Sequence, residues 1–280
     1  MKTLQQDVIG KNTLRLVDTG KGITGLIIAG GRQLDRIDGD DPAEVWALLR
    51  AAVGKASDAY IGFDGARARF LRFFPDGFHS PAFEGDARLK IGERNYKLKA
   101  KAKLDLAAPL DQALTGTGYG EAVLSAYRAT NLLSPFEKTR LDPVLRGPDA
   151  DAFIQAAAQF AMGEIEPALN SMQRILAKHE NAKWTVVTYL PFLWHPDEHM
   201  FLKPVVTQDF ADRVGHPFVH EYSPALDPDV YTSLLDLMAV TKAELSDLQP
   251  RDNIDLQSFV WTVGEYKDGD EVLIAENAAD

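Results

Sequence analysis

Residues 195–199 read His195-Pro196-Asp197-Glu198-His199, two histidines four apart around two carboxylates, with Lys203 close behind. The order fits H-x-x-E-H, in which histidines on consecutive helical turns hold zinc and a glutamate moves protons. Pro196 restricts that reading, because a helix accepts proline only in its first turn, which makes His195 a cap. Pro204 limits such a helix to about two turns. His216 and His220 bring four of the six histidines into this region, with Glu221 or Glu265 as further ligands if a metal is held. The other reading starts a helix at Pro196 and puts Asp197 and Glu198 where the helix dipole favours carboxylates. His199 and Lys203 then share a face, and Trp194 and Phe201 wall a polar pocket.

The stretch 250–261, PRDNIDLQSFVW, offers two more carboxylates. Asp252 and Asp255 suit the cap of a helix carrying Phe259 and Trp261, or one of them serves as an active-site carboxylate. Gly20, Gly22 and Gly25 spell G-x-G-x-x-G, a pyrophosphate loop only between a strand and a helix. Here the strand-like LIIAGG follows, so a hairpin turn is expected.

A third group is basic and aromatic. Across 65–103 there are ten basic and four acidic residues, and Arg67, Arg69, Arg72, Arg88 and Arg94 interleave with Phe70, Phe73, Phe74, Phe78, Phe83 and Tyr96. Lys97, Lys99, Lys101 and Lys103 complete it. Arginines hold phosphates in fixed geometry, and exposed rings stack on bases, so Arg67, Arg69, Arg72, Phe74, Arg94, Lys97 and Lys101 are candidate nucleic-acid contacts. The alternative places the phenylalanines in the core and the lysines on a solvated face.

Elements must position these groups. Residues 13–37 alternate as short strands with glycine turns. Asp41-Pro42-Ala43-Glu44 opens a helix, and 58–63, DAYIGF, is expected as a strand. Helices follow over 118–130, from a Ser134–Glu137 capping box, over 149–161 and 163–179, and from Asp227. The expected fold is α+β: a small strand and helix lobe over 1–105, then a mainly helical lobe over 106–280.

The 280 residues are 45% hydrophobic and 25% charged, ordinary for a globular chain. The absence of cysteine removes disulfides, thiolate metal sites and cysteine nucleophiles, and suits a reducing compartment. No apolar leader or membrane-length run is seen, so a cytoplasmic protein without a membrane partner is expected. The net charge of −11 divides into +4 over 1–105 and −15 beyond. Such a chain does not coat nucleic acid indiscriminately, although a local basic site still binds a polyanion.

Together NLLSPFEK (131–138), TYLPFLWHPDEHMFLKP (188–204), PRDNIDLQSFVW, RFLRFFPDGF (69–78) and ERNYKL (93–98) resemble motifs of a broad bacterial family without an assigned role. The chain also resembles anti-phage DNA glycosylases that remove glucosylated hydroxymethylcytosine from phage DNA. That resemblance implies a modified phage DNA as partner and a base-flipping mechanism; no cofactor is expected. No catalytic position carries over from it, so the roles are assigned from chemistry. Glu198, Asp252 or Asp255 supplies the carboxylate that stabilises a cationic sugar. His199, Asn131 and Gln257 contact the base, and Trp194 walls the pocket. Lys203 donates to phosphate or attacks the sugar as an amine. Two rivals stand beside this reading: a non-catalytic nucleic-acid or protein-binding module, and a metal-dependent hydrolase or nuclease using 195–199. The sequence does not set an oligomeric state.

Overall fold

The computed structural model describes residues 2–9, 12–20, 22–29, 32–56, 61–85, 92–267, 269, 270 and 274. The architecture is α+β, a small antiparallel sheet followed by helices. Strands β1 (Lys2–Ile9), β2 (Asn12–Asp18), β3 (Ile23–Ala29) and β4 (Arg32–Gly39) form a meander in sequence order. The period-two pattern sets Leu14 opposite Ile27 and Leu16 opposite Gly25 on one face. That face receives helix α1 (Pro42–Ala56), whose Val45 and Leu49 are buried against it. Gly25 permits the close approach, since a Cβ there would stand 2.8 Å from Leu49 Cδ1. Gly20 and Gly22 of the G-x-G-x-x-G stretch lie at the hairpin connection between β2 and β3, and Gly25 lies within β3. Gly20 adopts φ 77°, a conformation that glycine takes without a Cβ clash.

Among the described residues the helices that follow are α2 (Gly62–Phe73), α3 (Pro81–Glu84), α4 (Asn95–Ala107), α5 (Leu110–Ala113), α6 (Gly120–Arg128), α7 (Pro135–Leu145), α8 (Ala150–Ala161) and α9 (Ile165–Ala177). Then come α10 (Trp184–Val187), α11 (Tyr189–Trp194), α12 (Pro204–Val214), α13 (Phe218–Glu221), α14 (Pro228–Glu244) and α15 (Asn253–Glu265). The caps read from sequence are in place. Ser134 and Glu137 form a reciprocal capping box on α7, Asp227 caps α14 and Asp252 caps α15. The strand expected over 58–63 is corrected in part: Gly62 and Phe63 open α2, while 58–60 lie outside the described residues.

The main core is one cluster running from Ala66 on α2 to Ile274, and Leu14, Ile27 and Leu49 form a separate small one under the sheet. The change of packing therefore falls between α1 and α2, ahead of the expected change at 105. Its cause is the aromatic segment. Phe70, Phe73, Phe74, Phe78 and Phe83 are all buried, and Phe70 lies 4.8 Å from Phe78 and 5.1 Å from Phe259 of α15. Each such ring pair adds about 0.5–1.5 kcal/mol beyond the area it buries. These rings bind α2 to α15. No helix among the described residues is long and apolar enough to cross a membrane.

Candidate functional site

The start of α15 gathers the charged residues. Asp252 is extended at the N-cap and accepts from the backbone N–H of Ile254 at 3.0 Å and of Asp255 at 3.2 Å. Arg94, just before α4, reaches across 158 positions and donates to both Asp252 oxygens at 2.7 Å. It also donates to Asp255 Oδ1 at 2.7 Å. Asp255, fully buried, takes further bonds from the Arg251 backbone N–H at 2.9 Å and from Arg251 Nε at 2.8 Å. Arg251 in turn donates to Glu84 and to the Phe78 carbonyl. Burial alone would push Arg94 down in pKa; the bonds and charges of Asp252 and Asp255 outweigh it and hold the guanidinium above its ordinary value.

One helical turn along, Lys97 is completely buried, with Nζ 2.7 Å from Ser258 Oγ and 3.4 Å from Glu93 Oε2. Burial lowers its pKa against the pull of Glu93. Tyr266 donates to Glu93 Oε1 at 2.8 Å, and burial, with the Glu93 charge behind it, raises that phenol well above its ordinary value. Glu93, Ser258 and Tyr266 were not singled out in the sequence. Their signal is three-dimensional, because Ser258 and Tyr266 meet α4 only when α15 packs on it.

Residues 195–199 form a turn that closes α11, not the start of a helix, so the shared face of His199 and Lys203 is corrected. The helix waits until Pro204, with Lys203 as its N-cap. The turn is bolted to α15: the Asn253 backbone N–H donates to Pro196 O at 2.9 Å, and its side-chain amide donates to His199 O at 3.1 Å. His199 is buried. Its Nε2 faces the Ala161 carbonyl at 3.1 Å, which accepts and so places the proton there, while Nδ1 lies 3.3 Å from Tyr231 Oη, a hydroxyl that accepts from the Met200 N–H and donates to the Met200 carbonyl. Burial lowers its pKa despite that carbonyl and the Glu198 charge. A ring so enclosed is not offered to a base or a metal in this conformation.

The remaining expected contacts separate by exposure. Trp194 is buried, its indole N–H donating to Ala108 O at 3.0 Å. Phe74 and Lys97 have no exposed surface, which corrects them as nucleic-acid contacts in this arrangement; the phenylalanine is core and the lysine is spent inside. Arg94 is committed to the two aspartates. Arg69 caps the end of α15, donating to Val263 O at 3.0 Å and Tyr266 O at 2.6 Å. Arg67 pairs with Asp247, and Lys101 donates to Asp105 and to Trp194 O, both at 2.9 Å. Arg72 is exposed, and Arg88 lies outside the described residues.

Lys203 and Trp261, which solvent still reaches, meet elsewhere. Lys203, half-buried, has Nζ 5.0 Å above the ring of half-buried Trp261 and 3.2 Å from the Leu132 carbonyl. Asn131, next to Leu132, is exposed. Gln257 lies one turn before Trp261 on α15; it is buried, and its Oε1 has no hydrogen-bond partner. Glu198 is exposed. Among the described residues no three histidine, aspartate or glutamate side chains come together as a metal ligand set. His216 instead bonds Asp236 at 3.1 Å and accepts from the Phe218 N–H at 3.2 Å. Compared with protein-family models, curated proteins and solved structures, the chain finds no match in any of the three.

Proposed function

We propose that the protein acts on DNA as a base-excising glycosylase, with its site at Lys203, Trp261 and Gln257 beside the turn at 131. The observation that carries this is the placement of Lys203 5.0 Å above the Trp261 ring, both reachable, with the unsatisfied Gln257 amide one turn away. A flipped base needs an aromatic face and polar contacts to its edge. A buried oxygen without a partner costs about 1–3 kcal/mol, which a ligand donor would recover. Glu198 is the candidate carboxylate that no protein cation holds among the described residues, so it suits the positive charge that develops on the sugar. In that reaction the base departs with its bonding electrons and a proton, and the oxygen of water takes its place on the sugar. If Lys203 attacks instead, its neutral amine displaces the base from C1′, the ring oxygen then leaves C1′ with the bonding pair and takes up the amine proton to give an imine, and water hydrolyses that imine to free the lysine.

Duplexes with plain, hydroxymethylated and glucosylated cytosine test this, read as alkali-labile breaks, with borohydride added to trap an imine on Lys203. Breaks confined to a modified duplex are expected, and Glu198→Gln is expected to slow them by about 10²–10⁴-fold. Three intact duplexes, at protein concentrations that bind them, would sink the reading. A second reading, a binding module without catalysis, draws on the saturation of Asp252 and Asp255: each oxygen already accepts from a protein donor. It predicts DNA binding that Glu198→Gln leaves unchanged and no breaks.

A further inference from the structure

Two lysines converge on the turn at 130–132, between α6 and α7. Lys138 Nζ donates to the Thr130 carbonyl, and Lys203 Nζ donates to the Leu132 carbonyl at 3.2 Å. The two acceptors are two residues apart, with exposed Asn131 between them. Among the described residues neither ammonium has a carboxylate within ion-pair distance. The nearest carboxylate in sequence, Glu137, is engaged elsewhere: it accepts from the Ser134 N–H at 2.7 Å and Thr185 Oγ1 at 2.6 Å, and lies 3.9 Å from Lys183.

Several other cations around the helical body are neutralised locally, as in Arg128–Asp142, Arg146–Glu121 and Lys178–Asp149. In a chain of net charge −11, two uncompensated ammoniums on one turn mark a local excess of positive charge. An ammonium has three donors, so each keeps N–H groups for another acceptor after bonding its carbonyl. Burial also lowers the pKa of Lys138, a cost that an anion beside it would offset.

We infer that this turn is a phosphate-binding site, in which Lys138 and Lys203, with the Asn131 amide between them, hold one phosphate of a nucleic-acid backbone. The identity of the ligand as DNA rests on the proposed function; the site itself requires only a phosphate. Its position beside Trp261 sets a backbone grip next to the aromatic face that would receive the base.

The test is the salt dependence of binding to an unmodified duplex, by fluorescence anisotropy, for the wild type, Lys138→Gln, Lys203→Gln and the double variant. Each single change is expected to weaken binding and flatten the log–log salt slope by about one. Lys99→Gln and Lys103→Gln, exposed on α4, are expected to leave both unchanged. Folded Lys138→Gln and Lys203→Gln proteins with the wild-type slope and affinity would overturn the site. If the wild type binds no duplex, the DNA reading fails and inorganic phosphate, titrated by calorimetry, decides the site alone. Phosphate binding lost in both lysine variants upholds it. Equal binding in all variants, or none in the wild type, overturns it.

Discussion

Arg94 shows what one side chain holds in place. It is nine-tenths buried between two carboxylates, so removing it leaves Asp252 without its cation and Asp255 with Arg251 alone, side by side in a poorly solvated interior. Arg94→Leu is expected to cost about 3–5 kcal/mol in urea unfolding, the usual penalty for orphaning a buried charge. Arg94→Lys would recover part, because a point charge replaces a two-pronged fork. A loss under about 1 kcal/mol for Arg94→Leu would show that the aspartates find other partners. His199 makes a second residue-scale prediction. Its folded pKa lies below that of the free imidazole, so the unfolded chain binds more protons as pH falls through the ordinary histidine range. Stability contributed by the neutral ring is complete above that range and is lost as pH falls. Unfolding free energy measured from pH 7.5 downward should therefore decline less steeply in His199→Gln than in the wild type; parallel curves would refute this.

At the scale of elements, short-range rules made the helix starts legible. Ser134, Asp227 and Asp252 announce their helices because a cap depends on side chains within one turn. The 195–199 stretch misled for the converse reason. Its proline and carboxylates fit a helix start, but Asn253 from a distant helix holds the Pro196 and His199 carbonyls and fixes a turn instead. The basic–aromatic segment misled likewise, since burial of Phe74 and Lys97 depends on α15 and has no local signature. Of the candidate site, Lys203, Gln257 and Asn131 could be picked out as polar residues in suggestive company; the pairing of Lys203 with Trp261 and Leu132 could not. Packing of α1 on the sheet is tested at Gly25. Gly25→Ala sets a methyl 2.8 Å from Leu49 Cδ1 and 3.1 Å from Val45 Cγ1, and is expected to destabilise that unit by about 1–3 kcal/mol. Unchanged stability would mean that α1 shifts freely.

At the scale of the molecule, the sheet with α1 buries its own small cluster, and the helices share another. Two unfolding transitions are expected, the first reported by Trp46, which packs under the sheet, and identified by its absence in Trp46→Phe. Gly25→Ala should move that transition alone; one cooperative transition for all signals would reject the division. The ion pairs of Arg94 have a consequence for the newborn chain. Its two acid partners lie 158 and 161 positions downstream, and Phe259 and Tyr266, which pack on Phe70, Phe73, Phe74 and Phe78, come later still. At ribosomal speeds of about 5–20 residues per second, that interval lasts on the order of ten seconds. Throughout it the emerging segment carries bare rings and unmatched cations. A chain that stops short of residue 253 never covers them, so α15 acts as the quality seal on the segment translated before it.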